Sequence, residues 1–360
     1  LIRRQRQMCI RDRFMICASH TDSPSFKLKP DFEINADGCI KLSVEGYGGM
    51  IMSSWLDRPL SISGRIVTAK DGKIETKLVN IDRDLLVIPS LAIHMSRDIN
   101  KGYEFNIRRD MCPIASEKNG RIEDIIAESV GVDKEKILGF DLSLYNRMHG
   151  TVLGADGEYF SAPRIDDLQC MYSTLEGFLN SESDDNVTVF AAFDNEEVGS
   201  GTKQGAKSSF LRDVLERICN NSETYKRAVA KSFMLSCDNA HAVHPNFADK
   251  SDGTNRVYMN GGIVIKYNAN QRYTTDAVSE AVVKYVCKNA GVPYQMYANR
   301  SDIPGGSTLG NLSNEKVSLN TADIGLAQLA MHSSYETAGS RDTEYMVKMI
   351  KEFYKTEIVL

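Results

Sequence analysis

A chain of 360 residues, 42% hydrophobic and 25% charged, can bury a sizeable core and is long enough for two domains. A net charge of -5 and the lack of an apolar stretch of membrane-span length argue against nucleic-acid and membrane partners. Eight scattered cysteines without a Cys-x-x-Cys pair indicate neither a zinc ribbon nor a disulfide framework, and reduced thiols fit a cytoplasmic protein.

The first thirteen residues hold five Arg residues and no strand or helix pattern that continues into the following sequence. They resemble translated sequencing-adapter DNA, so we interpret residues 1–13 as a non-native leader and exclude them from fold reasoning. The alternative is a genuine basic arm. On the leader interpretation the native sequence begins at Phe14 and the true N-terminus is missing.

The sequence after the leader opens with a short apolar strand, 14–18, that delivers His20 at its C-terminal end. From residue 27 to about 109, short runs with period-two alternation and turn signals predict a β-rich module. Within this module, Asp71-Gly72 predicts a tight hairpin. Helical patterns follow at 122–130 and 134–138.

Beyond about residue 151 the chain alternates strand and helix, which is typical of an α/β domain. The predicted elements are a helix at 167–179, strands at 187–193, 233–237 and 263–267, a helix at 276–289, a strand at 294–298 and a last helix at 343–355. We therefore predict a discontinuous catalytic domain formed by residues 14–25 and 151–360. The β-rich module, residues 26–150, is an insertion within it.

The apolar strand at 187–193 is followed directly by a group of carboxylates, in Asp194-Asn195-Glu196-Glu197. Ionised carboxylates are rarely buried unless they are paired or bound to metal, so this strand end invites a cation. Matching ligands lie in four other segments, at His20 with Asp22, at Asp166, at Asp238 and at His332. Two His, several carboxylates and one spare Glu are what a dinuclear metallohydrolase needs.

Each of these residues has a predicted role in such a site. Asp22 follows His20 by two residues, so its carboxylate can accept the second imidazole N–H and fix the tautomer. Asp166 precedes a helix and is suited to bridging two ions. Of the pair Glu196 and Glu197, one would bind metal and the other would face the water. The alternatives are a structural His, a helix-capping Asp and a solvated Glu pair.

Five separated motifs together resemble the aspartyl aminopeptidases, a family of dinuclear zinc exopeptidases. They are Ser19-His20-Thr21-Asp22, Pro163-Arg164-Ile165-Asp166, Asp194-Asn195-Glu196-Glu197, Asp238-Asn239-Ala240-His241 and Ala330-Met331-His332-Ser333. The resemblance runs in the family's order from Phe14 to near the C-terminus. It implies a mixed-sheet α/β catalytic domain flanked by helices, with the insertion serving as a dimerisation domain.

The resemblance also implies two Zn²⁺ per subunit, although Mn²⁺ or Co²⁺ would suit the same ligands. It assigns His20 and Asp238 to one zinc, Glu197 and His332 to the other, Asp166 as the bridge and Glu196 as the general base.

Substrate selection in the family falls to a lysine that matches Lys266, whose ammonium would pair with an N-terminal Asp or Glu side chain. On the sequence alone, Lys266 reads instead as a surface lysine at a strand end. The resemblance suggests that His94 reaches a neighbouring subunit's active site and that His241 also serves the substrate. It implies dimers that assemble into a dodecamer.

The predicted function is the removal of N-terminal Asp, then Glu, from peptides. Two alternatives remain open at this point. One is a related dinuclear aminopeptidase with neutral specificity, and the other is a catalytically silent protein that keeps the fold to form a shell.

Overall fold

The computed structural model of the protein describes residues 12–118, 120–183, 186–219, 221–303 and 305–358. The chain divides into two compact units. The first lies within Leu1–Ser23, Thr151–Met331 and Glu336–Leu360, and the second comprises Pro24–Gly150 and His332–Tyr335. Most of the predicted leader, residues 1–11, lies outside the described residues.

The first unit contains eleven strands and six helices among its described residues. The strands are β1 Phe14–His20, β8 Thr151–Leu153, β9 Tyr159–Ala162, β10 Val187–Phe193, β11 Phe233–Cys237, β12 Ala240–His241, β13 Ile263–Tyr267, β14 Tyr294–Ala298, β15 Asn320–Gly325, β16 Ala327–Leu329 and β17 Glu336–Gly339. The helices are α3 Ile165–Leu179, α4 Phe210–Ile218, α5 Ser222–Lys231, α6 Ala277–Ala290, α7 Leu309–Ser313 and α8 Asp342–Lys355.

The central sheet of this unit has six strands in the order β10-β1-β11-β15-β13-β14. The pairs from β10 to β15 are parallel, whereas β13 runs antiparallel to β15, so the sheet is mixed. Every residue of β1 is buried, as expected of an apolar strand with a parallel neighbour on each side. A second sheet has the order β12-β16-β17-β9-β8. The predicted α/β class with a mixed sheet is confirmed.

Helix α6 begins and ends where local sequence chemistry predicts. Asp276 caps α6 by accepting hydrogen bonds from the backbone N–H groups of Val278 and Ser279, and Gly291 ends it in the left-handed conformation. Where α3 meets α8, Gly177 allows a close approach, because a Cβ there would lie 2.5 Å from Ile350 Cγ2. The sequence analysis missed α4 and α5, although apolar residues recur at helical spacing through α4.

The second unit is built on an antiparallel sheet. Its strands are β2 Ser25–Ala36, β3 Cys39–Tyr47, β4 Leu60–Lys70, β5 Lys73–Asn80, β6 Ile114–Glu117 and β7 Gly139–Asn146, in the order β5-β4-β7-β2-β3-β6. Two helices, α1 Ile107–Asp110 and α2 Ile122–Ser129, accompany it. Its buried core includes Phe26 and Trp55, whose rings meet edge to face.

Two local predictions for the second unit have different outcomes. The hairpin at Asp71-Gly72 is confirmed, since both residues have positive φ, at 49° and 73°, and join β4 to β5. The helix predicted at 134–138 is wrong. Only a single 3-10 turn forms at Lys134–Lys136, because Ile137 is already extended (ψ 115°) and leads the chain into β7.

Candidate metal centre

Three neighbouring parallel strands deliver polar side chains to one edge of the central sheet. β1 ends at His20, which pairs with Phe193 at the end of β10, and β11 ends at Cys237, directly before Asp238. Because the strands are parallel, their carboxyl ends meet at the same edge, where open α/β sheets form their sites. The predicted ligands of the first unit are therefore brought together by strand register.

Asp166 reaches this edge from the start of α3. Arg164 has a positive φ of 59°, and Asp166 and Asp167 have non-helical dihedral angles, so regular helix begins only after them. The peptide bond between Asp166 and Asp167 is cis. Both carboxyl side chains are buried, with Asp166 3% and Asp167 0% exposed.

His20 is held with its two ring nitrogens facing different groups. Nδ1 lies 3.0 Å from the backbone carbonyl of Asp22 and 3.4 Å from its Oδ1, so the carbonyl makes the closer contact. Nε2 lies 3.5 Å from Oδ1 of Asp166. A proton on Nδ1 would leave Nε2 as the metal-binding nitrogen on the side of Asp166.

The Asp22 carboxylate also orients the two glutamates. Its Oδ1 accepts a hydrogen bond from the backbone N–H of Glu196 and its Oδ2 one from that of Glu197, each at 3.1 Å. These contacts fix the short 3-10 turn Glu196–Val198 that carries both side chains. Asp22 thus ties a predicted ligand, His20, to the predicted base.

The ligand atoms of these residues come close enough to hold cations. In one group, atoms of His20, Asp166 and Asp238 lie within 4.8 Å of one another, and in a second group the same holds for His20, Glu196 and Glu197. An imidazole surrounded by carboxylates is a donor set that Zn²⁺ binds. The residues present therefore fit the predicted metal.

The pKa values of the residues in this site also favour a bound cation. Burial and the nearby charge of Asp238 raise the pKa of Glu196 to about 7. Burial also raises the pKa of Asp238, even though Lys266 acts to lower it. For His20, burial acts to lower the pKa, but Asp166 and Asp22 outweigh it and the pKa is raised. Burial and neighbouring carboxylates thus disfavour ionised Glu196 and Asp238, neighbouring carboxylates favour protonated His20, and a divalent cation would relieve both effects.

Lys266 is buried beside this group. It is 3% exposed, and its Nζ donates a hydrogen bond to the backbone carbonyl of Asn239 at 2.7 Å and lies 3.6 Å from Asp238 Oδ2. The ring of Tyr273 lies 5.6 Å from the ammonium. Burial acts to lower the pKa of Lys266, but Asp238 outweighs it, so the pKa is raised and the lysine is charged. The reading of Lys266 as a surface lysine is wrong.

The other predicted residues lie in different surroundings. His241 is exposed in the first unit, where it lines a pocket of about 310 Å³ together with residues that include His244 and Tyr297. His94 is exposed in a turn of the second unit. His332 belongs to the short segment grouped with that unit, where its Nδ1 lies 2.5 Å from the carbonyl oxygen of Gly49. The roles of these three histidines stay predictions.

Sequence reasoning overlooked two buried residues next to the ligands, Asp167 and Asn239. Asn239 accepts a hydrogen bond from Cys170 Sγ and donates to Gln169 and Gln328 through its side-chain amide. The adjacency of each residue to a predicted ligand was a signal that could have found it. Asp194, by contrast, accepts from Asn195 N–H in its own turn and joins neither ligand group described above.

A family model described as aminopeptidase I zinc metalloprotease (M18) matches residues 5–354. The chain belongs to this family. The match begins within the predicted leader, and the leader interpretation stays a prediction. Family membership makes the protein a zinc-dependent aminopeptidase, as predicted, and its name fits the cation-binding groups on the sheet edge.

Curated relatives cover nearly all of the chain. A probable M18 family aminopeptidase 2 from Clostridium acetobutylicum is 46% identical over 354 residues, covering 95% of this chain and 82% of the relative. A protein of the same name from Pseudomonas aeruginosa (strain UCBPP-PA14) is 37% identical and covers 98% and 84%. Their names give no specificity for acidic residues.

Solved structures agree with this family and fold. A chain in the cryo-EM structure of the Ape4 and Nbr1 complex matches with a TM-score of 0.91 at 36% identity, covering 95% of this chain and 71% of that one. The crystal structure of prApe1 matches with a TM-score of 0.87 at 28% identity, covering 95% and 79%. An M18 aminopeptidase from Thermotoga maritima, 22% identical with a TM-score of 0.83, shares the fold.

Replacing Asp22 with Asn should lower catalytic activity. In Asn an NH2 donor replaces one of the two oxygens, so the N–H of Glu196 or of Glu197 would face a donor, and the turn that carries the base loses one of its two anchoring hydrogen bonds. We expect kcat to fall by about 10- to 100-fold, as for other residues that orient metal ligands. The matched control is Asp194→Asn, in the loop that carries Glu196 and Glu197, and this variant should retain activity. Equal losses in the two variants would contradict the anchoring role.

The contribution of Glu196 to the stability of the metal-free protein should fall as pH rises. A Glu196 pKa of about 7, above the usual 4.5, means that the folded protein holds a proton which the unfolded chain has released. Its contribution to stability is therefore complete below about pH 4.5 and is lost progressively up to pH 7. Chemical unfolding of metal-free wild type and Glu196→Gln at several pH values tests this. The variant should gain stability relative to wild type across that window, whereas parallel profiles would refute the assignment.

Proposed function

We propose that this protein is a dinuclear zinc aminopeptidase that removes N-terminal Asp, then Glu, from peptides. The observation that carries the proposal is the buried ammonium of Lys266 beside Asp238, at the same sheet edge as the ligand groups. An ammonium kept charged at 3% exposure is costly unless carboxylates pair with it. Asp238 is also a proposed metal ligand, so Lys266 would share it with the zinc. A substrate carboxylate can supply the ammonium with a further partner.

The residues divide the work of peptide hydrolysis among them. His20 and Asp238 would hold one zinc, Glu197 and His332 the other, and Asp166 would bridge them. When bound, the metal pair supplies a polarised carbonyl and an acidified water. Support for His332 is its Nδ1 contact with the Gly49 carbonyl, which favours the tautomer that coordinates through Nε2.

Glu196 is the proposed general base. Its side chain is half-buried at the ligand group, and Asp22 holds its backbone in place. It would take a proton from the attacking water and pass it to the leaving amine, as general acid–base catalysis requires. Its neighbour Glu197 shares the same backbone anchor, so the two carboxylates are placed for different tasks by one turn.

We further propose that subunits assemble through the second unit, residues 26–150 in the sequence prediction, into dimers and then a dodecamer. Support comes from a related structure described as the S. cerevesiae mApe1 dodecamer, with a TM-score of 0.80 at 27% identity. The exposed position of His94 is compatible with a role at a neighbouring subunit's site. No helix in the described ranges combines the length and apolar character needed to cross a membrane.

Lys266→Met tests the acidic specificity directly. Methionine preserves most of the buried volume but removes the charge, so an acidic substrate side chain would lose its partner. We expect kcat/KM for an aspartyl anilide to fall at least about 30-fold more than that for a leucyl anilide, the equivalent of about 2 kcal/mol.

The matched control is Lys284→Met, which removes a lysine paired with Glu280 on α6 of the same unit and should leave the substrate ratio unchanged. Equal losses on both substrates in Lys266→Met would remove Lys266 as the selector. A wild-type preference for the leucyl substrate would favour a neutral aminopeptidase instead.

A further inference from the structure

We propose that Asp167 is a positioning residue that sets the spacing between the strand ends carrying His20 and Asp238. Its Oδ2 accepts a hydrogen bond from the backbone N–H of His20 and its Oδ1 one from that of Asn239, both at 3.2 Å. One carboxylate therefore links β1 to the residue that follows Asp238. The inference rests on the metal centre of the proposed function.

The need for this link follows from the ladder between β1 and β11. The last residues paired in that ladder are Ala18 and Ser236, each two positions before its ligand. Beyond them no β1–β11 pairing holds the two strand ends at a fixed distance. Two backbone N–H groups cannot bond to each other, whereas a carboxylate accepts from both. Asp167 thus continues the cross-link past the end of the ladder.

Its place in the chain adds a third ligand to the arrangement. We call the Asp167 carboxylate with its two backbone hydrogen bonds the clamp. Asp167 directly follows Asp166, so any shift of the clamp moves the proposed bridging carboxylate as well. Asp167 is 0% exposed, which shields its hydrogen bonds from competing water. The clamp therefore fixes the relative positions of His20, Asp166 and Asp238, the three members of one ligand group.

The chain offers a matched control for this role in Asp342. Asp342 is also 0% exposed and also accepts two backbone hydrogen bonds, from Asn260 N–H at 2.6 Å and Gly262 N–H at 2.9 Å. Those two residues carry no predicted ligand. If the role of Asp167 were merely structural, its replacement should affect the protein in the same way as replacement of Asp342.

The test compares Asp167→Asn and Asp342→Asn in the full chain. We would measure zinc affinity by competition with a chromophoric chelator, the absorption spectrum of the Co²⁺-substituted proteins, and urea unfolding without metal. Both variants should lose stability, but only Asp167→Asn should bind zinc about 10- to 100-fold more weakly and shift the Co²⁺ spectrum. Should either asparagine variant fail to fold, Asp167→Glu and Asp342→Glu apply the same comparison while keeping the charge.

The outcomes separate the two proposals. Wild type that binds zinc and hydrolyses the aspartyl anilide, with Asp167 variants matching Asp342 variants in zinc affinity and Co²⁺ spectrum, would overturn the clamp alone. Wild type that binds no zinc would overturn the proposed function and the clamp with it. A selective loss of metal affinity in the Asp167 variants would support the clamp and the metal centre on which it rests.

Discussion

Negative charge gathered where three parallel strands end is the constraint on which this site depends. Among the described residues, at least six carboxyl groups lie there beside Lys266 and His20, and burial of the charged groups is costly. The six are Asp22, Asp166, Asp167, Glu196, Glu197 and Asp238. Such an arrangement persists only if hydrogen bonds and cations compensate it. Burial raises the pKa values of Glu196 and Asp238, so ionisation of both groups is disfavoured at this edge.

The carboxylates resolve this constraint in two ways. Asp22 and Asp167 are satisfied by pairs of backbone N–H groups, and each uses both oxygens to hold a segment that carries ligands. Asp166, Glu197 and Asp238 instead direct oxygen atoms toward neighbouring ligand atoms. Asp22 and Asp167 therefore position the backbone segments that carry the ligands, and the other three carboxylates supply the proposed metal coordination. Chemistry alone does not distinguish the two classes, because all are Asp or Glu. Their hydrogen bonds do.

Much of this could be predicted from sequence because strand ends are visible there. The strands at 187–193, 233–237, 263–267 and 294–298 were predicted with the bounds observed, since each is a short and largely apolar segment. Parallel pairing with β1 then brings the carboxyl ends of the strands 187–193 and 233–237 to the same sheet edge. The class of fold and the gathering of His20, Glu196 and Asp238 followed from the positions of these strand ends, whereas Asp166 reaches the same edge from the start of α3.

Other features depend on contacts that no local pattern reveals. The burial of Lys266 follows from β13 lying inside the sheet with its ammonium on the Asn239 carbonyl, a contact 27 residues apart in sequence. The double acceptor role of Asp167 joins residues on two strands, and its doublet with Asp166 reads locally as a helix cap. The grouping of His332–Tyr335 with the second unit likewise reflects long-range contacts, including Asn146 Nδ2 to the Ser334 carbonyl. In α4 the signal was present and was overlooked.

The most direct test of the proposed dinuclear centre is a zinc-edge anomalous diffraction measurement on crystals of the zinc-loaded protein. A dinuclear centre should give two anomalous peaks per subunit. One should lie at coordination distance from His20 and Asp238, the other at coordination distance from Glu197, and Asp166 should touch both. A single peak, or a pair of peaks that Asp166 does not bridge, would contradict the dinuclear centre on which the proposed mechanism rests.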